Sequence, residues 1–453
     1  LIKSESPRGE FSSRFGFLMA ASGSAVGLGN IWGFPTNAAS NGGSAFLFVY
    51  LLLAFALAYP ALMAELIIGR HAKSNAVTAL RGLATGPKTE KLGVGVGFAG
   101  IITVSFILSF YAIVSGWMLA FLLASIADVL GLNSISIWLT SDGLSRDTIF
   151  SLLFILLTVV VISAGVRNGI EKWASRLMPS LVILLVLLIG YVMSLDGATD
   201  GLRAYLVPDF SRLIDAELLL SAMGQAFFSL SLGVGTMLVY GSYVSKRENL
   251  PVLGGMVALL DVGIAVTAGL LILPAMYVAL ASGVAIYDDV GGLIAGPGLI
   301  LAVLPALFSN MGTVGIFVAL AFFLLMTIAS LTSSISMLEV PVSYAVETHA
   351  VPRRKATALI GGLIALICII IVFNFDSLFD LVVSLTTEYS QPLLGLFFAV
   401  FVAWIWNRNA VLAEIKQGSP AIEYSLFWRI WPFYIKYVCP VAIAAVYAQM
   451  IFF

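Results

Sequence analysis

Charge is what this chain of 453 residues has least of: 10% of its residues are Asp, Glu, Lys or Arg, whereas 60% are hydrophobic. Soluble domains carry about 25% charged residues, so a soluble enzyme is excluded. A net charge of −1 says nothing about partners, and no nucleic acid is expected among them. Histidine and cysteine number two each. No His-Glu-x-x-His occurs, and His71 and His349 fall at the ends of apolar runs, so no intramembrane protease set is visible and no catalytic residue is assigned. Cys368 and Cys439 lie inside apolar runs, where a lone thiol reads as a small buried side chain rather than a disulfide or metal ligand. A dinucleotide fingerprint also fails. After Gly27 and Gly29 the third glycine position holds Trp32, and after Gly233 and Gly235 it holds Leu238. Residues 1–11 show no small-residue cleavage site, so no removable signal peptide is expected.

Long apolar runs are present in abundance. Eleven reach the roughly 20 residues that cross a hydrocarbon core: about 15–36, 44–69, 97–126, 149–166, 177–195, 217–243, 252–280, 313–345, 357–374, 378–405 and 433–452. The ten-residue run 299–308 is too short and reads as an extracellular lid or re-entrant piece. Cations such as Arg70, Lys73, Lys172, Arg353 and Lys416 gather in alternate loops, and Asp142, Asp196 and Asp288 in the others. The positive-inside rule then predicts a cytoplasmic N-terminus and an extracellular C-terminus.

Two runs carry residues unsuited to a membrane helix. Ser24-Ala25-Val26-Gly27-Leu28-Gly29-Asn30 interrupts the first, and Phe228-Ser229-Leu230-Ser231-Leu232-Gly233-Val234-Gly235 the sixth. Gly weakens helical backbone and a buried amide needs partners. Backbone that leaves the helix at membrane depth survives only against protein or a polar cavity, where its freed groups can hold an ion. Matching interruptions in two halves of a chain point to a secondary transporter's binding site. The expected fold is all-α: residues 1–195 form a first five-helix repeat with a cytoplasmic N-terminal segment, and 196–216 an extracellular linker. Residues 217–406 form a second, inverted repeat, and 407–453 a cytoplasmic loop and helix 11.

The segment from Ser22 through Pro35, with Asn41-Gly42-Gly43 beyond it, resembles the first-helix signature of the neurotransmitter:sodium symporters. Gly224-Gln225-Ala226-Phe227-Phe228-Ser229-Leu230-Ser231-Leu232-Gly233 is similar to their sixth helix, and Ser330-Leu331-Thr332-Ser333-Ser334 to their eighth. The likeness runs from about residue 8 to 406 and is nearest to an eleven-helix bacterial branch. It implies a leucine-transporter-type fold and a symporter of a bacterial inner membrane that couples sodium entry to amino-acid uptake. A single chain would suffice for transport, and a dimer is compatible with it. Rival readings are a proton- or single-sodium-coupled carrier and an amino-acid receptor or channel on the same scaffold.

The resemblance also implies a site. One sodium would meet the Ala25 carbonyl, Asn30, Ser229, Asp261 and the substrate carboxylate. A second would meet the carbonyls of Gly23, Val26 and Ala329 and the hydroxyls of Thr332 and Ser333. Carbonyls, hydroxyls and carboxylates are what a hard cation requires. Asp261 departs from the family's usual Asn and would supply the charge that chloride provides in animal members. Tyr50, Gln225 and Ser229 match that chloride site but Ala265 lacks its hydroxyl, so no chloride requirement is expected. The amino acid's carboxylate would meet the amides near Leu28 and Gly29 and the Tyr111 hydroxyl, and its ammonium the carbonyls around Phe228 and Ser231. Ile107, Tyr111 and Val114 share one helix face by spacing. Val234, where a leucine-selective member has Phe, with Ser333 and Met337 would complete a pocket for Leu, Ile, Val, Met, Phe, Tyr and Trp. For gating, the resemblance implies an inner Arg8–Glu347 pair assisted by Tyr243 and Ser242. Asp380 would be the outer acid, its family Arg partner replaced by Gly33. Gly169 and Pro179 would mark a stretch that unwinds toward the second sodium.

Overall fold

The computed structural model describes residues 9–207, 215–287, 293–294 and 298–452. Arg8 therefore lies outside the described residues. The described chain is helical throughout, with one isolated antiparallel bridge between Tyr287 and Leu293. Its principal helices are α1 Arg14–Ala25, α2 Gly29–Ser40, α3 Ser44–Ala72, α4 Pro87–Val129, α5 Leu144–Ser163, α6 Val166–Val192, α7 Ala216–Ser229, α8 Thr236–Ser242, α9 Leu250–Ala281, α10 Leu299–Asn310, α11 Thr313–His349, α12 Arg353–Phe373, α13 Phe375–Ile405, α14 Leu426–Phe433 and α15 Cys439–Phe452, with shorter ones between them. Among the described residues eight helices are long and apolar enough to cross a membrane, nine if the pair α1 and α2, bent by 56°, is one span. Helix α10 is too short to cross.

Local chemistry sets the ends. Ser13 caps α1 by accepting the Gly16 N–H at 2.9 Å, and Asn249 caps α9 ahead of Pro251 in its first turn. The run expected at 97–126 is the core of a longer helix, because Pro87 opens α4 and the charged Lys88, Glu90 and Lys91 ride on its first turns. The run expected at 433–452 is preceded by α14. Inside the bundle, α4 and α11 pack along one another, α1 and α8 pack on α11, and α9 packs on α1 and α2. Leu, Val and Phe side chains stay exposed on the outer faces of α5, α6 and α12, for example Leu156, Leu187 and Leu363. An apolar outer surface of this extent suits lipid rather than water.

Candidate functional site

Both predicted interruptions are real breaks, and side chains from elsewhere complete their hydrogen bonding. Helix α1 ends at Ala25, and Val26 turns to extended backbone at φ −75°, ψ 101°. The Gly27 N–H finds Asn30 Oδ1 at 3.3 Å, and the Leu28 N–H finds the Tyr111 hydroxyl at 3.2 Å. The Gly29 carbonyl accepts from Gln225 Nε2 at 2.9 Å, and the Ser24 carbonyl from the hydroxyls of Ser231 and Ser333, each at 2.9 Å. A Cβ on Gly27 would sit 2.8 Å from the Tyr111 hydroxyl and 3.0 Å from Ser333 Oγ, so only glycine leaves room there.

The second break spans 230–235, between α7 and α8. Ser231, Gly233 and Gly235 take φ of 51°, 86° and 80°. A left-handed serine costs roughly 1–2 kcal/mol, and its hydrogen bond to the Ser24 carbonyl offsets part of that. Gly233 is required, since a Cβ would strike the Gln391 carbonyl. The freed amides are collected by Glu65 of α3, whose carboxylate accepts from Gly233 N at 2.7 Å and Leu238 N at 3.3 Å. The sequence reading missed Glu65. Its signal was a lone acid inside an apolar run, a costly residue that implies a partner.

The two breaks meet at one cavity of about 20 Å³, room for little more than a water. Ala25, Leu28, Gly29, Ile107, Tyr111, Phe228, Ser229, Ser231, Val234, Ser333 and Met337 line it, as does Asn30. Val114 does not: it is buried in the core about one turn further along α4 than Tyr111. Gly27, Val104, Thr236 and Gln391 line the cavity unforeseen.

Asp261 is fully buried on α9. Its Oδ1 accepts from Asn30 Nδ2 at 2.6 Å and its Oδ2 from the Ser229 hydroxyl at 2.8 Å. Asn30 Nδ2 also reaches the Ser229 oxygen at 2.9 Å. This group of oxygens, negatively charged and enclosed, suits a small hard cation. Gln225 is committed at both ends, accepting from Asn37 at 3.1 Å while donating to Gly29. Tyr50 is buried with its hydroxyl unpartnered among the described residues.

At the other candidate ion position, a Cβ on Gly23 would lie 3.0 Å from Thr332 Cβ, so α1 and α11 approach closely there. The Thr332 hydroxyl donates to the carbonyls of Ile328 and Ala329 at 3.1 and 3.0 Å, and Ser333 to Ser24. A hydroxyl that donates keeps its lone pairs, so both oxygens remain able to face a cation. Among the described residues no group of three or more His, Cys, Asp or Glu could hold a metal, and neutral oxygens make up most of both positions.

Glu347 accepts from Asn75, through its backbone N at 2.7 Å and its side chain at 2.9 Å. The Tyr243 hydroxyl donates to Glu339 at 2.6 Å, and Glu339 also holds Arg353. Ser242 donates back to the Val239 carbonyl in its own helix. These are partners among the described residues; the Arg8 expected between Tyr243 and Glu347 lies outside them. Asp380 is exposed on α13 and forms no ion pair among the described residues. Next to it Phe379 stacks on Phe375 at 4.6 Å, and Trp117 lies 6.4 Å from Phe379. Gly169 falls in a widened turn, 166–171, and Pro179 inside α6. The same turn holds the chain's N-terminal segment: Glu171 accepts from Ser12 N at 2.8 Å and its hydroxyl at 2.7 Å, and Arg167 donates to the Glu10 carbonyl at 3.0 Å.

A bundle of apolar helices around a cavity made from two breaks, lined by backbone and hydroxyls and backed through Asn30 and Ser229 by a buried carboxylate, defines a multi-pass membrane carrier rather than an enzyme. The model of the sodium:neurotransmitter symporter family matches residues 8–146 and 132–452. An uncharacterized sodium-dependent transporter of Bacillus subtilis, YhdH, is 32% identical over 98% of this chain and 97% of its own length. A second from Haemophilus influenzae is 30% identical over 98% of each chain. The crystal structure of MhsT in complex with L-phenylalanine superposes with a TM-score of 0.83 at 35% identity, covering 98% of this chain and 99% of that one. The chain belongs to the sodium:neurotransmitter symporter family and is a sodium-dependent transporter.

Proposed function

We propose that this protein imports bulky hydrophobic and aromatic L-amino acids together with two sodium ions, by alternating access and without chloride. It would do so across a bacterial inner membrane, through eleven spans with the N-terminus inside and the C-terminus outside. The observation that carries this reading is that Asn30 and Ser229 line the cavity and both bond Asp261, so a buried carboxylate stands beside the solute's place. An isolated carboxylate at membrane depth costs roughly 3 kcal/mol, which a bound cation relieves. That charge takes the part of chloride in animal members. Sodium held there, with Ala25 and Asn30, attracts the amino acid's carboxylate toward Leu28 and Tyr111. The second ion joins α1 to α11 through Gly23, Val26, Ala329, Thr332 and Ser333, so it resists opening from within.

Val234 and Met337 give the pocket its tolerance, since the first is small and the second adaptable. The likeness to a phenylalanine-bound structure supports an aromatic substrate. A cavity of about 20 Å³ must widen around such a side chain, with Phe228 and Met337 moving outward. In proteoliposomes, L-phenylalanine uptake is expected to require an inward sodium gradient, carry two 22Na ions per molecule and persist when gluconate replaces chloride. Equal uptake in potassium would overturn the coupling, and loss in gluconate the role given to Asp261.

A further inference from the structure

Gln391 is 2% exposed, lines the central cavity, and its Oε1 has no hydrogen-bond partner among the described residues. A buried amide oxygen left unpaired is costly and calls for an explanation. The cavity's serine and threonine hydroxyls do not supply the donor. Ser229 gives its proton to Asp261, Ser231 and Ser333 give theirs to the Ser24 carbonyl, and Thr236 donates to the Ser231 carbonyl at 2.8 Å.

The amide's position says which end of a solute it meets. Gln391 packs by its carbonyl against Gly233, and the Val234 carbonyl lies beside Gly100 of α4. This corner is therefore at the Val104 end of the cavity. Tyr111, which holds the Leu28 amide, is seven residues further along α4, about 10 Å at 1.5 Å per residue. An aromatic amino acid whose carboxylate rests near Leu28 extends its ring toward Val234 and Gln391.

We infer that Gln391 is a specificity residue whose Oε1 accepts a hydrogen bond from the ring N–H or O–H of the substrate's side chain, so that tryptophan and tyrosine are favoured over substrates without such a donor. This rests on the amino-acid reading given above and narrows it. A site with a buried acceptor discriminates against the ligand that leaves it unpaired.

Competition binding to the purified protein in sodium, with L-Phe, L-Tyr, L-Trp and 1-methyl-L-Trp, tests it in wild type and in Gln391→Met, which keeps the length and removes the amide. Wild type is expected to prefer Trp over 1-methyl-Trp by on the order of tenfold, and the variant to hold the two within about twofold. L-Phe binding is expected to survive in the variant, which also shows that it folds. A Trp to 1-methyl-Trp ratio unchanged by the substitution, or Phe and Trp weakened in parallel, overturns the inference. Equal affinity for Trp and 1-methyl-Trp in wild type overturns it without any variant. If wild type bound none of the four in a sodium-dependent way, the amino-acid reading would fall and this one with it.

Discussion

Asp261 faces two neutral donors, Asn30 and Ser229, and no Lys or Arg bonds it among the described residues. Such a carboxylate is stable at depth only when a cation or a proton shares the site. Asp261→Asn is therefore expected to raise the sodium concentration for half-maximal substrate binding by roughly tenfold or more, since hydrogen bonds to a charged group are worth about 1.5–3 kcal/mol. Sodium titration of substrate binding checks this, and an unchanged midpoint would remove Asp261 from the ion's surroundings. At this scale much of the site could be read in advance: Gly29, Asn30, Ser229 and Ser333 sit in long family motifs, and the structure brings them to one cavity. Gln391 and Glu65 could not be. Glu65 is a lone acid in an apolar run and Gln391 ends a polar stretch, and the meaning of each depends on a contact over 150 residues away in sequence, with Gly233 in both cases.

Among the elements, the two breaks depend on supports that belong to other helices. The turn at 230–235 has positive φ at three residues and would revert or disorder without the Glu65 carboxylate that gathers Gly233 and Leu238. Glu65→Ala is expected to cost about 1–3 kcal/mol in unsatisfied amides and to weaken substrate binding, whereas Glu65→Gln keeps one acceptor and loses less. Thermal stability with and without amino acid separates the two effects; equal behaviour of both variants would contradict the capping role. The glycines and serines announced where these breaks fall, but the handedness of Ser231 follows from its bond to Ser24, which no local pattern encodes. The start of α4 was misjudged for a related reason: Lys88, Glu90 and Lys91 interrupt the apolar run while leaving the helix intact. In α6, Pro179 cannot donate to the Ser175 carbonyl. Hydrogen exchange across 172–178 is expected to slow when sodium binds, and exchange indifferent to sodium would count against unwinding there.

The whole molecule is fastened at one end by an ion cluster that composition did not disclose. Arg70, buried at the end of α3, donates to Glu414 Oε1 at 2.9 Å, to its carbonyl at 2.6 Å, and to the Glu248 carbonyl at 2.7 Å. Burial pushes the Glu414 carboxyl up, but His71, Arg70 and Lys246 outweigh it and hold it down from 4.5 to about 2. A carboxyl lowered on folding stabilises above its ordinary value, and that contribution is lost as pH falls through the folded one. Melting temperature in detergent should therefore drop between about pH 4.5 and 2, less so in Glu414→Gln. Arg70→Ala, which strands a buried charge, should cost about 3–5 kcal/mol.

Coupling is also a property of the whole chain. Two sodium ions moving through 100 mV with a net-neutral amino acid would contribute roughly 4.6 kcal/mol, near a 10³-fold concentration ratio. That work requires ion and solute to share one enclosure, and equilibrium binding of L-phenylalanine to the purified protein in sodium and in potassium tests this most directly. Affinity is expected to rise steeply with sodium, approaching second order, and to be lost in potassium. Binding of equal strength in the two salts would contradict a common site between the broken helices.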